Sequence, residues 1–308
     1  MRWYRHFAVV LALALVASGC SAGKRYQRVS LHHVDPTVLE SATATTSASK
    51  QLRVGSAALI SPVETMRSYS NLYNYLARSV DRTAEVYQSH TYAETNELVR
   101  AGGVDIALVC SYAYVVGQRE FGMEAVAVPI VRGKPEYYSY VIVRSDSGIR
   151  TFDDLRNRSF AFTDPISTSG RLYAEGLLVD RQSTAQQFFR QTTFTFSHDN
   201  SIKAVDDGVV DGAAVDSLVY DQKVKQNPQL GQRLSIIAKS PPFGAPPIVV
   251  NPKLDPELKH KLQEALLTMH TTTEGQRILA ELNIERFVPP DDHWYDSVRS
   301  LAEKVRGQ

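Results

Sequence analysis

Short blocks of alternating apolar and polar residues recur along the chain, and most are followed by a run with helical spacing. Alternation over a few residues predicts a half-buried strand, whereas apolar residues three and four apart predict a helix. The predicted strands cover residues 52–55, 85–87, 105–110, 159–163, 192–196, 212–215 and 234–239. Repeated strand–helix units favour an α/β fold in which parallel sheets are covered by helices.

Start signals mark several of the predicted helices. Ser61, Pro62 and Glu64 form a capping box with proline at the first helical position, which predicts a helix to about residue 80. Asp255 and Pro256 open another helix, and its apolar stripe comprises Leu258, Leu262, Ala265, Leu266 and Met269. Further helices are predicted at 92–101, 171–179, 201–207, 218–225, 274–282 and 294–305.

Two extended segments, 135–143 and the proline-rich 240–247, divide these units into two sets. Prolines fix the backbone and disfavour helix, so residues 240–247 are predicted to form a rigid crossing. The predicted lobes are residues 51–140 plus 245–308, and residues 141–244, with a cleft between them. Ligands of such sheets bind beyond the carboxyl ends of the strands.

One stretch after a predicted strand has the features of an anion site. Residues 159–163 form the strand, a turn with proline ends it, and a helix follows. The residues at this helix start are Ser167, Thr168, Ser169 and Gly170, and glycine lets the backbone approach a bound group. A helix N-terminus carries unpaired N–H groups and about half a positive charge, which favours an anion. The alternative is an ordinary N-cap with additional serines; three hydroxyls and a glycine favour the anion site.

Charge and motifs exclude several function classes. The chain has 34 basic and 33 acidic residues, a net charge of +1, so no basic surplus indicates nucleic-acid binding. Nucleotide-binding loops, a dinucleotide fingerprint and a paired-histidine metal motif are all absent from the sequence. We therefore predict no catalytic residue, no cofactor and no metal.

The first residues have the pattern of an export signal. Arg2 and Arg5 precede an apolar run over 7–16 that is too short to span a bilayer, and small residues lead to Cys20. This resembles a bacterial lipobox, whose cysteine is lipidated; the alternative is a plain secretory signal. We expect removal of 1–19, a lipid on Cys20 and a flexible Ser/Thr/Ala-rich tether over 20–50. The other cysteine, Cys110, is then expected to be a buried, inert thiol.

Several motifs in order carry a resemblance to a known family. They are Thr163-Asp164-Pro165 with Ser167-Thr168-Ser169-Gly170, then Ser197-His198-Asp199, then Val210-Asp211-Gly212-Ala213-Ala214-Val215-Asp216, then Ser240-Pro241-Pro242 with Pro246-Pro247. The chain resembles the phosphate/phosphite/phosphonate substrate-binding proteins of ABC importers over residues 52–305. The resemblance implies the two-lobe α/β fold of type-2 periplasmic binding proteins, hinged by two crossing segments. It also implies C-terminal helices that return to the first lobe.

The resemblance implies a set of ligand-binding residues in the interlobe cleft. They are Ser167, Thr168, Ser169 and Gly170 in the loop, with His198, Asp216, Tyr92 and Tyr137, and with Tyr138 as the alternative to Tyr137. Asp216 either caps the following helix or accepts a proton from a ligand with a P–OH group. His198 either donates to a ligand oxygen or holds the loop before Ser201. The tyrosines either close over the ligand or belong to the core or its rim.

Two departures from the family affect the ligand. Pro246 stands where aminoalkylphosphonate-binding members have an acidic residue, so a small oxyanion or an uncharged phosphonate is expected instead. Residues 109–112, which include Cys110, replace a loop that is usually glycine-rich, so the first-lobe wall is expected to differ.

The sequence therefore predicts a monomeric solute-binding lipoprotein, membrane-anchored on the periplasmic or cell-surface side. It would bind a phosphorus oxyanion and deliver it to an ABC permease in the inner membrane. The alternative is a sensory module of the same fold that partners a membrane kinase or receptor; an enzyme on this scaffold is third. Neighbouring permease and ATPase genes would favour transport, and a neighbouring sensor-kinase gene would favour signalling.

Overall fold

The computed structural model describes residues 51–307. The predicted signal peptide, the lipidation site Cys20 and the predicted tether lie outside the described residues. Within residues 51–307 every helix is too short or too polar to cross a bilayer.

Thirteen strands are found in residues 51–307. They are β1 (Gln51–Ser56), β2 (Thr83–Gln88), β3 (Ile106–Leu108), β4 (Glu124–Ile130), β5 (Glu136–Tyr137), β6 (Ser139–Arg144), β7 (Ser159–Phe162), β8 (Gln191–Phe194), β9 (Gly212–Asp216), β10 (Leu234–Lys239), β11 (Phe243–Gly244), β12 (Ile248–Val250) and β13 (Arg286–Val288). Each of the seven predicted strands is present. The sequence did not predict β4, β12 and β13.

Eleven α-helices are found in the same range. They are α1 (Pro62–Ser79), α2 (Tyr92–Arg100), α3 (Ser111–Phe121), α4 (Tyr173–Val179), α5 (Ala185–Phe188), α6 (His198–Asp206), α7 (Ser217–Gln226), α8 (Leu230–Arg233), α9 (Pro256–Thr268), α10 (Thr273–Glu281) and α11 (Asp296–Arg306). One π-helical turn, Thr168–Leu172, precedes α4. The predicted helix starts at Pro62 and Pro256 are confirmed, whereas α3 was not predicted.

The strands form two large mixed sheets. The first lobe contains the sheet β13-β4-β12-β3-β1-β2, and the second lobe contains the sheet β10-β6-β9-β7-β8. In the first sheet β1 pairs in parallel with β2 and β3, while β12 is antiparallel to both its neighbours. In the second, β7 is parallel to β8 and β9, while β6 is antiparallel to β9 and β10. Both sheets are therefore mixed, whereas the sequence predicted parallel sheets, because β6, β12 and β13 run antiparallel to the strands with which they pair.

The two predicted extended segments contact each other. β11 pairs with β5 in antiparallel fashion, with Phe243 opposite Tyr137. Hydrogen bonds between them tie the outward and return crossings into one two-stranded ribbon. This ribbon holds Tyr137 at the junction of the lobes.

The C-terminal helices differ partly from the prediction. The stripe of α9 is buried as expected, and Lys259 Nζ of α9 lies 2.8 Å from Glu124 Oε2 of the first lobe. The last helix, α11, contacts both lobes. Lys304 Nζ lies 2.6 Å from Asp180 Oδ1 beyond α4, and the Arg299 guanidinium donates to Gln118 Oε1 of α3 at 2.6 Å. The sequence predicted that the C-terminal helices pack on the first lobe, but it did not predict that α11 also contacts the second lobe.

Candidate oxyanion-binding site

Residues Ser167 to Gly170 of the loop after β7 are buried, and Ser167 is the N-cap of the helical turn that follows. Ser167 accepts a hydrogen bond from the Gly170 N–H at 2.9 Å through its Oγ. The ordinary cap interpretation is therefore correct for Ser167. Its hydroxyl oxygen is already engaged within the loop.

Thr168 joins the loop to the first lobe. Its Oγ1 accepts from the Tyr112 N–H at 2.8 Å and lies 3.5 Å from Cys110 Sγ. The Thr168 N–H points at the same sulfur, 3.4 Å away. Cys110 is buried and free, as predicted, and burial raises the pKa of its thiol. Cys110 thus contacts the loop from the first lobe.

Ser169 differs from its two neighbours because its hydroxyl has no partner. It is 0% exposed, and among residues 51–307 nothing hydrogen-bonds to its Oγ. Its carbonyl oxygen accepts from Ser139 Oγ at 2.6 Å, which fixes the residue in place. A buried polar group without a partner costs about 1–3 kcal/mol, so native proteins seldom retain one unless a ligand or water pairs with it.

His198 is the first residue of α6 rather than part of a preceding loop, which corrects the loop-holding interpretation. Its Nδ1 accepts from the Asp216 N–H at 3.1 Å and lies 3.1 Å from Thr163 Oγ1. Burial lowers the pKa of His198 to about 3, so the ring stays neutral. With Nδ1 accepting, the single ring proton must be on Nε2, which faces the Tyr92 hydroxyl at 3.3 Å.

Two tyrosines from the first lobe complete the arrangement. Tyr92 and Tyr137 are both 0% exposed, and burial raises the pKa of each well above 10. Both therefore remain protonated hydrogen-bond donors. Tyr137 Oη lies 3.9 Å from Cys110 Sγ, whereas the ring of Tyr138 lies under Lys239 Nζ at 3.8 Å. The structure thus brings Tyr137, and not Tyr138, to the loop.

We call Ser167, Thr168, Ser169, Gly170, His198, Tyr92 and Tyr137 the cradle. Asp216 borders it. Its Oδ1 accepts from the N–H groups of Leu218 and Val219 at 2.6 and 3.4 Å, so the prediction that it caps the following helix is confirmed. Burial raises the pKa of Asp216 to about 7. The group is therefore able to hold or accept a proton near neutral pH.

Gly170 packs against Thr163, the residue after β7. A Cβ atom at this position would lie 2.4 Å from both Cβ and Oγ1 of Thr163. Glycine is required so that Thr163 can pack against the loop and place its hydroxyl at His198.

Three helix N-termini of the first lobe are satisfied by side chains of the second. Asp199 accepts from the Ser61 N–H at 2.8 Å and from Ser61 Oγ at 2.5 Å. Asp164 accepts from the Tyr92 N–H at 3.0 Å, and Thr168 accepts from the second residue of α3. The predicted capping box at Ser61 is wrong, because its hydroxyl makes no cap bond and donates to Asp199 instead. Sequence reasoning missed Asp164, Asp199 and Tyr112 as contacts, since these partners are distant in sequence.

Arg171, the basic residue next to the loop, does not place its charge in the cradle. Arg171 pairs with Glu175 at 2.8 Å and donates to the Pro165 carbonyl at 2.7 Å, so its charge is used outside. The donors that face the cradle are neutral hydroxyl, imidazole and amide groups. Across residues 51–307 no three His, Cys, Asp or Glu side chains are grouped so as to hold a metal.

We expect Asp216 and His198 to contribute to the free energy of unfolding with opposite dependence on pH. The folded pKa of Asp216 is raised, so its contribution is complete below the ordinary aspartate pKa and is lost as pH rises towards 7. The folded pKa of His198 is lowered, so its contribution is present above the ordinary histidine pKa and is lost as pH falls towards 3. Between about pH 4 and 6.5 the two slopes oppose each other, each at most about 1.4 kcal/mol per pH unit.

Two variants test this balance by urea unfolding between pH 4.5 and 8. Asp216→Asn keeps a good helix cap, and its free energy of unfolding relative to wild type should fall on acidification. His198→Gln should show the opposite trend. A difference between Asp216→Asn and wild type that is independent of pH would contradict the raised aspartate pKa.

A family model described as "ABC transporter, phosphonate, periplasmic substrate-binding protein" matches residues 54–295. The chain belongs to this family. The resemblance seen in the sequence is thereby confirmed. The family comprises extracytoplasmic substrate-binding components of transporters rather than enzymes.

Relatives within the family differ in the ligand for which they are named. The phosphate-import protein PhnD of Mycolicibacterium smegmatis is 27% identical and covers 96% of this chain and 95% of its own length. A probable phosphite-binding protein, PhnD1 of Prochlorococcus marinus, is 25% identical over 66% of this chain and 68% of its own.

Solved structures show the same fold. A binding protein of an ABC phosphonate transporter from Pseudomonas aeruginosa has a TM-score of 0.78 at 23% identity, over 83% of this chain and 86% of that chain. PhnD1 of Prochlorococcus marinus in complex with methylphosphonate has a TM-score of 0.75 at 19% identity, over 84% and 99%. The predicted two-lobe type-2 periplasmic binding protein fold is therefore confirmed.

Proposed function

We propose that this family member is a lipid-anchored extracytoplasmic protein that binds a phosphorus oxyanion in the cradle and delivers it to an ABC permease. One observation carries the site assignment: the Ser169 hydroxyl is buried without a partner, in the loop where both lobes meet. The N-terminal sequence up to Cys20 supports the anchor, and the family supports the role in import.

The chemistry of the cradle favours an oxyanion that carries a proton. Neutral O–H and N–H donors replace the water that an anion loses on burial, and charge-assisted bonds to them are about twice as strong as neutral ones. Asp216, without an ion-pair partner in residues 51–307, supplies an acceptor beside these donors. When the ligand and Asp216 share one proton, a hydrogen bond joins them. A fully deprotonated anion would instead be repelled by the Asp216 carboxylate.

Calorimetry with phosphite, methylphosphonate, phosphate and sulfate tests this proposal. At pH 6 at least one of the phosphorus oxyanions should bind with a micromolar or lower Kd, and sulfate should not bind. Because the pKa of Asp216 is about 7, raising the pH to 8 removes the shared proton and should weaken binding about tenfold. Tight sulfate binding, or no heat with any phosphorus oxyanion, would refute the assignment.

A further inference from the structure

A cavity of about 790 Å³ lies between the lobes and beside the cradle. The first lobe contributes Leu59, Leu72 and Ile248 to its wall, and the second contributes Leu218 and Val219 from α7. A tetrahedral oxyanion has only five heavy atoms and would fill a small part of this space. Cavities of roughly 300–1,000 Å³ with mostly apolar walls are the ones that enclose larger organic ligands.

The cavity and the cradle are separated by single residues. Asp216 lines the cavity, and its N–H donates to His198 Nδ1 at 3.1 Å. Leu59 lines it too, and its carbonyl accepts from the His198 N–H at 3.0 Å. A group held at His198 therefore lies one residue away from the apolar space.

The charged residues around the cavity already have partners. Arg132 pairs with Asp221 at 3.0 Å, and Lys225 donates to Asn283; both contacts join the two lobes. Pro246 adds an apolar surface. Tyr69 and Gln222 add polar groups to the wall, and Asp216 is the carboxylate on the side of the cradle. The leucine, isoleucine, valine and proline side chains make the rest of the wall largely apolar.

We infer that this cavity binds the organic substituent of the ligand, so that the protein takes phosphonates or phosphate monoesters with an uncharged, apolar substituent of several carbons. The phosphorus group lies in the cradle, a P–OH is hydrogen-bonded by Asp216, and the chain extends between Leu59 and α7. This inference rests on the proposed oxyanion site. Each methylene that becomes buried is expected to tighten binding up to about fourfold.

A chain-length series tests the inference by calorimetry on the purified full-length protein. Methyl-, propyl- and hexylphosphonate should bind progressively more tightly, with at least 30-fold between the first and the last. Comparing hexyl phosphate with hexylphosphonate shows whether the site prefers a phosphate monoester or a phosphonate with the same alkyl chain. Hexyl sulfate controls for nonspecific binding of the alkyl chain. A flat or falling series with intact methylphosphonate binding overturns this inference alone, whereas loss of all phosphorus binding refutes the proposed function.

A substitution that fills the cavity tests whether the organic substituent of the ligand binds there. In Leu218→Trp the affinity for hexylphosphonate should lie within about threefold of that variant's own affinity for methylphosphonate. Gln226→Trp, on the exposed end of the same helix, is the matched control and should change neither. If Leu218→Trp does not fold, Val219→Phe makes the same test. Unchanged hexylphosphonate affinity in a folded cavity-filling variant overturns the location.

Discussion

Replacing Ser169 with alanine is expected to weaken phosphorus-oxyanion binding by about 10- to 100-fold without destabilising the protein. A hydrogen bond from a hydroxyl to a charged group contributes about 1.5–3 kcal/mol, and each 1.4 kcal/mol is tenfold in Kd. The Ser169 hydroxyl makes no bond within the described chain. Its removal should therefore leave the free energy of unfolding of the ligand-free protein unchanged or slightly raised. Calorimetry and urea unfolding measure the two effects.

Ser183→Ala is the matched control for this variant. Ser183 is a buried serine of the same lobe in the turn after α4, away from the cradle, and its replacement should not change affinity. Ser169→Ala with wild-type affinity would show that its hydroxyl does not face the ligand. A Ser169→Ala variant that unfolds easily would show that the hydroxyl has a structural partner.

Replacing Gly170 with alanine is expected to cost both stability and binding. The new Cβ would meet Thr163 Cβ and Oγ1 at 2.4 Å and Ser167 Oγ at 2.9 Å. Thr163 directly follows β7, its N–H donates to the Gly170 carbonyl at 2.9 Å, and its Oγ1 lies 3.1 Å from His198 Nδ1. Thr163 therefore cannot move aside easily, and overpacking of this kind costs about 3 kcal/mol. Displacing Thr163 also displaces the His198 ring. Urea unfolding should show the loss of stability, and oxyanion binding should fall below detection.

Gly307→Ala serves as the comparison for Gly170→Ala. The nearest atom to a Cβ at Gly307 is 3.6 Å away, in ordinary contact range. This variant should match wild type in stability and in affinity. If Gly170→Ala behaves in the same way, the packing of the loop against Thr163 is not as tight as described.

Side chains of the second lobe cap helices of the first lobe next to the proposed binding loop. Thr168, Asp164 and Asp199 of the second lobe satisfy the starts of three first-lobe helices, where unpaired N–H groups and the helix dipole favour acceptors. These bonds join the two lobes. The Ser169 hydroxyl lies buried at the same junction without a hydrogen-bond partner among residues 51–307, which is why we propose it as a ligand donor.

The sequence by itself determined much of the local structure. The apolar stripe of α9 follows from helical periodicity. Its cap follows from a local contact, because Asp255 Oδ1 accepts from the N–H of Leu258, the third residue of the helix, at 2.9 Å. The loop from Ser167 to Gly170 was located by the same kind of local signal. Such features depend on residues a few positions apart, so a single sequence contains them.

Only the tertiary structure decided what depends on distant partners. Ser61 is a cap in sequence but pairs with Asp199, 138 residues away. The antiparallel strand β12 and the division of roles among three adjacent hydroxyls likewise depend on which segments meet. Gly170 illustrates the physical reason: its neighbour Thr163 is set by the fold, and the space between two chains is a property of their packing rather than of either sequence pattern.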